Sequence, residues 1–148
     1  MMKILLDRFI KNSQIEISEG FEWIDGKPIT MQDIDNAIKN GITETSEPFG
    51  DRWKNWPKEA KDEQYHISRV IYFINHPEEI KDIEIDNRYW QDRYTSYIYP
   101  TSEIIDGWHR FAAAVYIGLK EIDVIYDGRI DVLDYLMGKT DIEPTEII

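Results

Sequence analysis

The 148-residue chain contains no cysteine. Disulfides, thiolate metal sites and cysteine nucleophiles are excluded together, and a chain of this length has to stand on its apolar core alone. The absence fits a reducing compartment, and a cytoplasmic location is expected. Histidine is also scarce: there are three, none spaced i, i+4, so no metal site is expected. No apolar run approaches the length of a membrane span. The opening stretch MMKILLDRFIKNSQ has one early lysine and an apolar segment already broken by charge, which does not read as a signal peptide. There is no Gly-x-x-x-x-Gly-Lys loop, no Gly-x-Ser-x-Gly elbow and no Rossmann glycine string, and neither repeats nor low-complexity tracts occur.

Basic residues are in short supply. Seventeen Lys and Arg face 29 Asp and Glu, a formal charge of −12. Duplex DNA carries a charge about every 1.7 Å of axis and its binders present basic faces, so direct duplex binding is not expected. The acid has two readings. One is solubility; the other is a carboxylate face offered to a protein that normally binds nucleic acid. Aromatics are plentiful, with five Trp and nine Tyr, and such side chains serve cores, interfaces and stacking surfaces alike.

Along the chain, residues 3–18 suggest one or two short strands, since QIEIS alternates. Asp25-Gly26 signals a tight turn. Thr30 with Asp33 forms a capping pattern before Met31, Ile34, Ala37 and Ile38, which share a helical face, and Gly41 is a stop; a helix over about 31–40 follows. Residues 42–57 read as a loop with Phe49, Trp53 and Trp56, either functional or folded back over the core. From Pro57 to Pro77, the spacing of Ile67, Val70, Ile71 and Ile74 predicts an amphipathic helix. Strands are expected in IKDIEIDNRYW, YTSYIYP and SEIID, with turns at Asp86-Asn87 and Gln91-Asp92. A helix from Trp108 or His109 to Gly118 and a strand follow. A short last helix would carry the stripe Ile130, Leu133, Leu136 and Met137, ending at Gly138.

The stretch 103–128, EIIDGWHRFAAAVYIGLKEIDVIYDG, holds the one constellation with chemistry in it. Ile104 and Ile105 end a strand, Gly107 relaxes the turn, and a helix begins on Trp108-His109-Arg110. The first turn of a helix has N–H groups without intrahelical partners and a partial positive charge. His109 and Arg110 add donors there, which suits an anion such as phosphate. The same residues also read as an ordinary N-cap at Asp106, an ion pair at Arg110 and a satisfied half-buried His109, and on spacing alone these readings outweigh phosphate.

The same stretch resembles the signature of the ParB/sulfiredoxin superfamily, in which a strand ends in a Gly-x-x-Arg or Asp-Gly-x-His-Arg turn. An alanine-containing helix, Gly-Leu-x-x-Ile and a strand then follow. The matching positions are Asp106, Gly107, His109, Arg110, Ala113, Ala114, Gly118, Leu119, Ile122 and Val124, and the likeness extends over roughly 64–126. It implies an α+β fold, a small ParB/sulfiredoxin-like mixed sheet with packed helices over 57–148. Residues 1–56 would form an N-terminal extension of strands and one helix. It also implies phosphate binding by Gly107, Trp108, His109 and Arg110, with ATP, ADP or CTP and Mg²⁺ as the ligands. Sulfiredoxin chemistry is excluded, because its cysteine position is held by Trp108. The helix-turn-helix that follows the motif in partition proteins has no counterpart here.

A weak phosphotransferase or nucleotide hydrolase would use Asp106 and His109 as its catalytic groups, Asp106 binding Mg²⁺, taking a ribose hydroxyl or acting as base. Arg88, Trp90 and Arg93 on a hairpin are accessory candidates for stacking on a base, or else an exposed hairpin tip. The rival to a nucleotide-binding protein is a non-catalytic acidic partner protein of phage or mobile-element type, which blocks a nucleic-acid-binding host system.

Overall fold

A computed structural model describes residues 2–21, 27–49 and 63–148. The fold is α+β, and no helix among the described residues is long and apolar enough to cross a membrane. Two compact units divide the chain: the first takes residues up to Ile15, Lys81–Trp108 and Gly118–Ile148, the second Glu16–Ile80 and His109–Ile117. This differs from the boundary at residue 56, because the first strand pairs into the main sheet instead of standing apart as an extension.

The first unit is built on a four-stranded mixed sheet ordered β1-β4-β2-β3. Its strands are β1 (Met2–Leu5), β2 (Ile83–Gln91), β3 (Ser96–Asp106) and β4 (Glu121–Tyr126). β1 runs antiparallel to β4, β4 parallel to β2, and β2 antiparallel to β3. Alternation decides the faces: Ile83, Ile85 and Asn87 are buried on β2, and Ile122, Val124 and Tyr126 on β4. The expected turn at Asp86-Asn87 is instead continuous strand with an irregularity in register between Asn87 and Tyr89. The two strands expected in YTSYIYP and SEIID are one.

Residues 6–13, expected as strand, form helix α1 (Leu6–Ser13). Leu6, Phe9 and Ser13 recur at helical spacing and are buried. Asn12, also buried, fastens α1 to β3: its Oδ1 accepts from the Ser102 N–H at 2.9 Å and its Nδ2 donates to the Pro100 carbonyl at 2.9 Å. Helix α5 (Ile130–Leu136) buries Val132, Tyr135 and Leu136, while Ile130, expected in its stripe, is 74% exposed. Arg129, in front of α5, gives Nε and Nη2 to the Asp131 carboxylate at 3.0 and 2.7 Å, and Nη1 to the Glu146 carbonyl at 2.6 Å. The tail is thereby held along β3, where Ile98 and Ile148 exchange backbone hydrogen bonds of 2.8 and 3.0 Å.

The second unit is helical. Phe21 and Ile29 form a two-way bridge, and Gly20 before it has φ +87°, with a Cβ there falling 2.8 Å from the Ile29 carbonyl oxygen. The turn expected at Asp25-Gly26 lies outside the described residues, as do Trp53, Trp56 and Pro57. Helix α2 (Met31–Lys39) opens with the expected capping box: the Asp33 N–H donates to Thr30 Oγ1 at 3.1 Å, and the Thr30 N–H to Asp33 Oδ2 at 2.9 Å. Helix α3 (Glu63–Asn75) buries Ile67, Val70, Ile71 and Phe73, and a 3-10 turn at Pro77–Glu79 follows it. Helix α4 (Trp108–Ile117) has Phe111, Ala112, Ala113 and Ala114 at 0% exposure. Consecutive helical residues point about 100° apart, so the three buried alanines let neighbours close in around more than half of the helix.

Candidate functional site

The side chains that the second unit brings together come from α3, from the first turn of α4 and from the segment just before the undescribed residues 50–62. His66 and Arg69 are three apart on α3, so they project from neighbouring faces of the helix. His109 and Arg110 are the second and third residues of α4. His66 Nδ1 and His109 Nε2 are 2.8 Å apart, with the two rings within 19° of parallel. His66 is 5% exposed. One of these nitrogens donates and the other accepts, so a single proton lies between the rings.

Two guanidinium groups complete the cluster. Arg69 gives Nε–H to the Pro48 carbonyl at 2.8 Å and lies 5.5 Å over the Tyr65 ring. Arg110 lies 5.9 Å over the Phe49 ring, whose edge meets Phe73 at 5.6 Å. Burial pushes His109 well below the usual imidazole value, and the charges of Arg69, His66 and Arg110 add to the same effect. His109 is therefore neutral at physiological pH, beside two permanent cations. Farther along α4, the Tyr116 hydroxyl donates to Asp35 at 2.8 Å, and Phe111 meets Phe21 edge to face at 6.0 Å.

The other residues expected at the junction belong to the first unit. Asp106 ends β3 and pairs with Glu84; Gly107 has φ +104°, a backbone only glycine adopts freely; Trp108 is half-buried. Arg88, Trp90 and Arg93 are on the far part of the β2–β3 hairpin. Trp90 stands six residues, about 20 Å, along β2 from the partner of Asp106, so the strand ladder does not set these accessory candidates beside Asp106. Arg88 instead faces Glu103 at 3.6 Å, Arg93 lies 5.8 Å over the Tyr94 ring, and Trp90 stacks on Tyr97 at 5.7 Å.

Two features escaped the sequence. Nothing local in the sequence marks His66 as the partner of His109, since the two are 43 residues apart. The groups of His76, Glu78 and Glu79 come within 4.8 Å of one another, a donor set that histidine spacing alone does not reveal. Existing bonds engage these groups: His76 Nε2 is 2.8 Å from Glu44 Oε2, and Glu79 accepts from the Tyr72 hydroxyl.

No protein-family model, curated protein or solved structure matches the chain.

Proposed function

We propose that this chain binds a phosphate-bearing ligand, most simply a nucleotide, at the first turn of α4. His109 and Arg110 would contact it, with Arg69 and His66 alongside. The observation that supports this is the convergence of two guanidinium and two imidazole groups on one spot of a chain whose formal charge is −12. Guanidinium groups beside a helix N-terminus are the kind of donors that phosphate takes.

The resemblance of 103–126 to ParB/sulfiredoxin-like proteins extends the reading to Asp106, Gly107 and Trp108, to ATP, ADP or CTP with Mg²⁺, and to a cytoplasmic setting. A phosphotransferase or hydrolase would add Asp106 as metal ligand or base. Titration calorimetry with each nucleotide, with and without Mg²⁺, tests the binding. Saturable heat with at least one of them is expected, and its absence from all three at millimolar concentration removes the proposal.

The net charge favours a second reading, an acidic partner protein that occupies the phosphate-binding face of a nucleic-acid-binding protein. Salt-sensitive association with such a protein, in a chain that binds no nucleotide, would select it.

A further inference from the structure

The distal half of β2 has an edge that no strand covers among the described residues. β4 pairs with β2 only at Ile83, Glu84 and Ile85, yet β2 continues to Gln91, paired on its other side with β3. On this arm Tyr89 is 66% exposed, Trp90 46% and Tyr97 44%, an aromatic surface that water does not favour. The arm is held in shape by its tip, where Asp92 Oδ1 accepts the Tyr94 and Thr95 N–H groups, each at 2.7 Å. Two of the usual guards of an open edge are absent, for there is no lysine and no proline between residues 82 and 99; the guards present are the irregularity between Asn87 and Tyr89 and the charges of Arg88, Asp92 and Arg93.

The residues along that edge say what fits it. Positions 88–92 read Arg-Tyr-Trp-Gln-Asp, a sequence whose charges complement each other when it runs antiparallel to itself. With Trp90 on a two-fold axis, Arg88 stands opposite Asp92 of the second copy, twice, and Tyr89 opposite Gln91. Parallel pairing would set arginine on arginine and aspartate on aspartate, which costs stability. The global charge points the same way. Two chains of −12 repel across most approaches, whereas between Arg88 and Ile98 the arm holds two arginines and one aspartate. A single-stranded nucleic acid, by contrast, would bring phosphates to a strongly acidic protein.

We propose that the β2 edges of two copies pair antiparallel through residues 88–92, joining the arms about a two-fold axis at Trp90. The opposite edge of the arm is occupied at Ile98 by its two hydrogen bonds with Ile148. Pairing therefore closes at two copies instead of growing into a filament.

The absence of cysteine makes the test clean. In antiparallel strands, opposed Cα atoms are about 4.5–5.5 Å apart, within disulfide reach. Full-length Trp90→Cys is expected to form a disulfide-linked dimer under mild oxidation. Tyr94→Cys, at a site 84% exposed in the wild-type chain, is expected to form no disulfide within the dimer, because the two tips are far from the axis. Sedimentation equilibrium of the unmodified chain should show a dimer. Arg88→Glu, which turns both Arg–Asp pairs repulsive, should raise its dissociation constant roughly tenfold with an unchanged far-ultraviolet spectrum. A wild-type chain that remains monomeric at high micromolar concentration overturns the proposal. So do equal cross-linking rates for the two cysteine variants, and so does a monomer that binds oligothymidylate through Trp90.

Discussion

His66 on α3 and His109 in the first turn of α4 share one hydrogen bond, Nδ1 to Nε2, at 2.8 Å. A pair joined this way holds one proton between two nitrogens, so protonating both breaks the bond. Burial first, and then the charges of Arg69, His66 and Arg110, keep the His109 imidazole neutral. The cluster thus holds fixed positive charge on the arginines and an uncharged, hydrogen-bonded pair of rings between them. That arrangement disfavours a further proton on His109.

A stability consequence follows from His109. Its folded value lies well below the unfolded value of 6.5, first through burial and then through Arg69, His66 and Arg110. At pH below about 6.5 the unfolded chain takes up a proton that the folded chain refuses, so stability is full above that pH and declines as pH falls. His76, shifted upward, contributes with the opposite sign but equally in wild type and variant. The melting temperature of wild type should therefore fall more steeply from neutral pH into the acid range than that of His109→Gln. Parallel profiles for the two proteins would show that His109 carries no such linkage.

Ligand binding should run with the proton as well. A bound phosphate offsets the fields of Arg69 and Arg110, two of the causes that hold His109 down, and so raises its affinity for a proton. Nucleotide binding is expected to tighten as pH falls from neutral and to be accompanied by proton uptake. Titrations in buffers of different ionisation enthalpy read that uptake directly. Arg110→Ala, which removes a charged donor worth about 1.5–3 kcal/mol, should weaken binding roughly tenfold to a hundredfold. Proton release on binding, or unaltered affinity in the variant, contradicts the arrangement.

How far the sequence led depends on how local each signal was. Helix α2 was legible because Thr30, Asp33 and Gly41 mark both of its ends within a dozen residues, and α4 with β4 because apolar segments flank a glycine turn. Helix α1 was not, since it follows β1 without a break and the alternation of QIEIS suggested strand nearby. Asn87 misled for a different reason. Beside Asp86 it has the composition of a turn, but it is 2% exposed and serves partners near residue 126 that no window around it contains. The site divided similarly: His109 and Arg110 stood out beside their turn, whereas His66 and Arg69 acquire meaning only when α3 is folded against α4.

His76 offers a check on the second unit that is independent of any ligand. Its hydrogen bond to Glu44 is the largest influence and raises its affinity for a proton; burial opposes it, and the charges of Glu44, Glu78 and Glu79 add to the rise. The imidazole should titrate above 6.5 in histidine side-chain nuclear magnetic resonance spectra. Glu44→Gln should bring it down toward that value. If the variant leaves the titration where it was, the 2.8 Å contact is not what sets it.

Asn87 should prove one of the most sensitive polar positions in the first unit. Its Oδ1 accepts both the Tyr126 hydroxyl at 2.5 Å and the Arg129 backbone N–H at 2.7 Å, all of them buried. Replacing it with alanine leaves the Arg129 N–H without its acceptor, at about 1–3 kcal/mol, and the Tyr126 hydroxyl with only the Arg129 carbonyl at 3.2 Å. Gly128 is bound to the same arrangement: a Cβ there would fall 2.1 Å from Asn87 Oδ1 and 2.7 Å from the Tyr126 oxygen. Gly128→Ala must therefore displace the very acceptor that Asn87→Ala removes. Because the two changes strike one network, their combined effect in urea unfolding should be less than the sum of the single effects. Strict additivity would mean that the turn at 127–129 and the Asn87 side chain contribute separately.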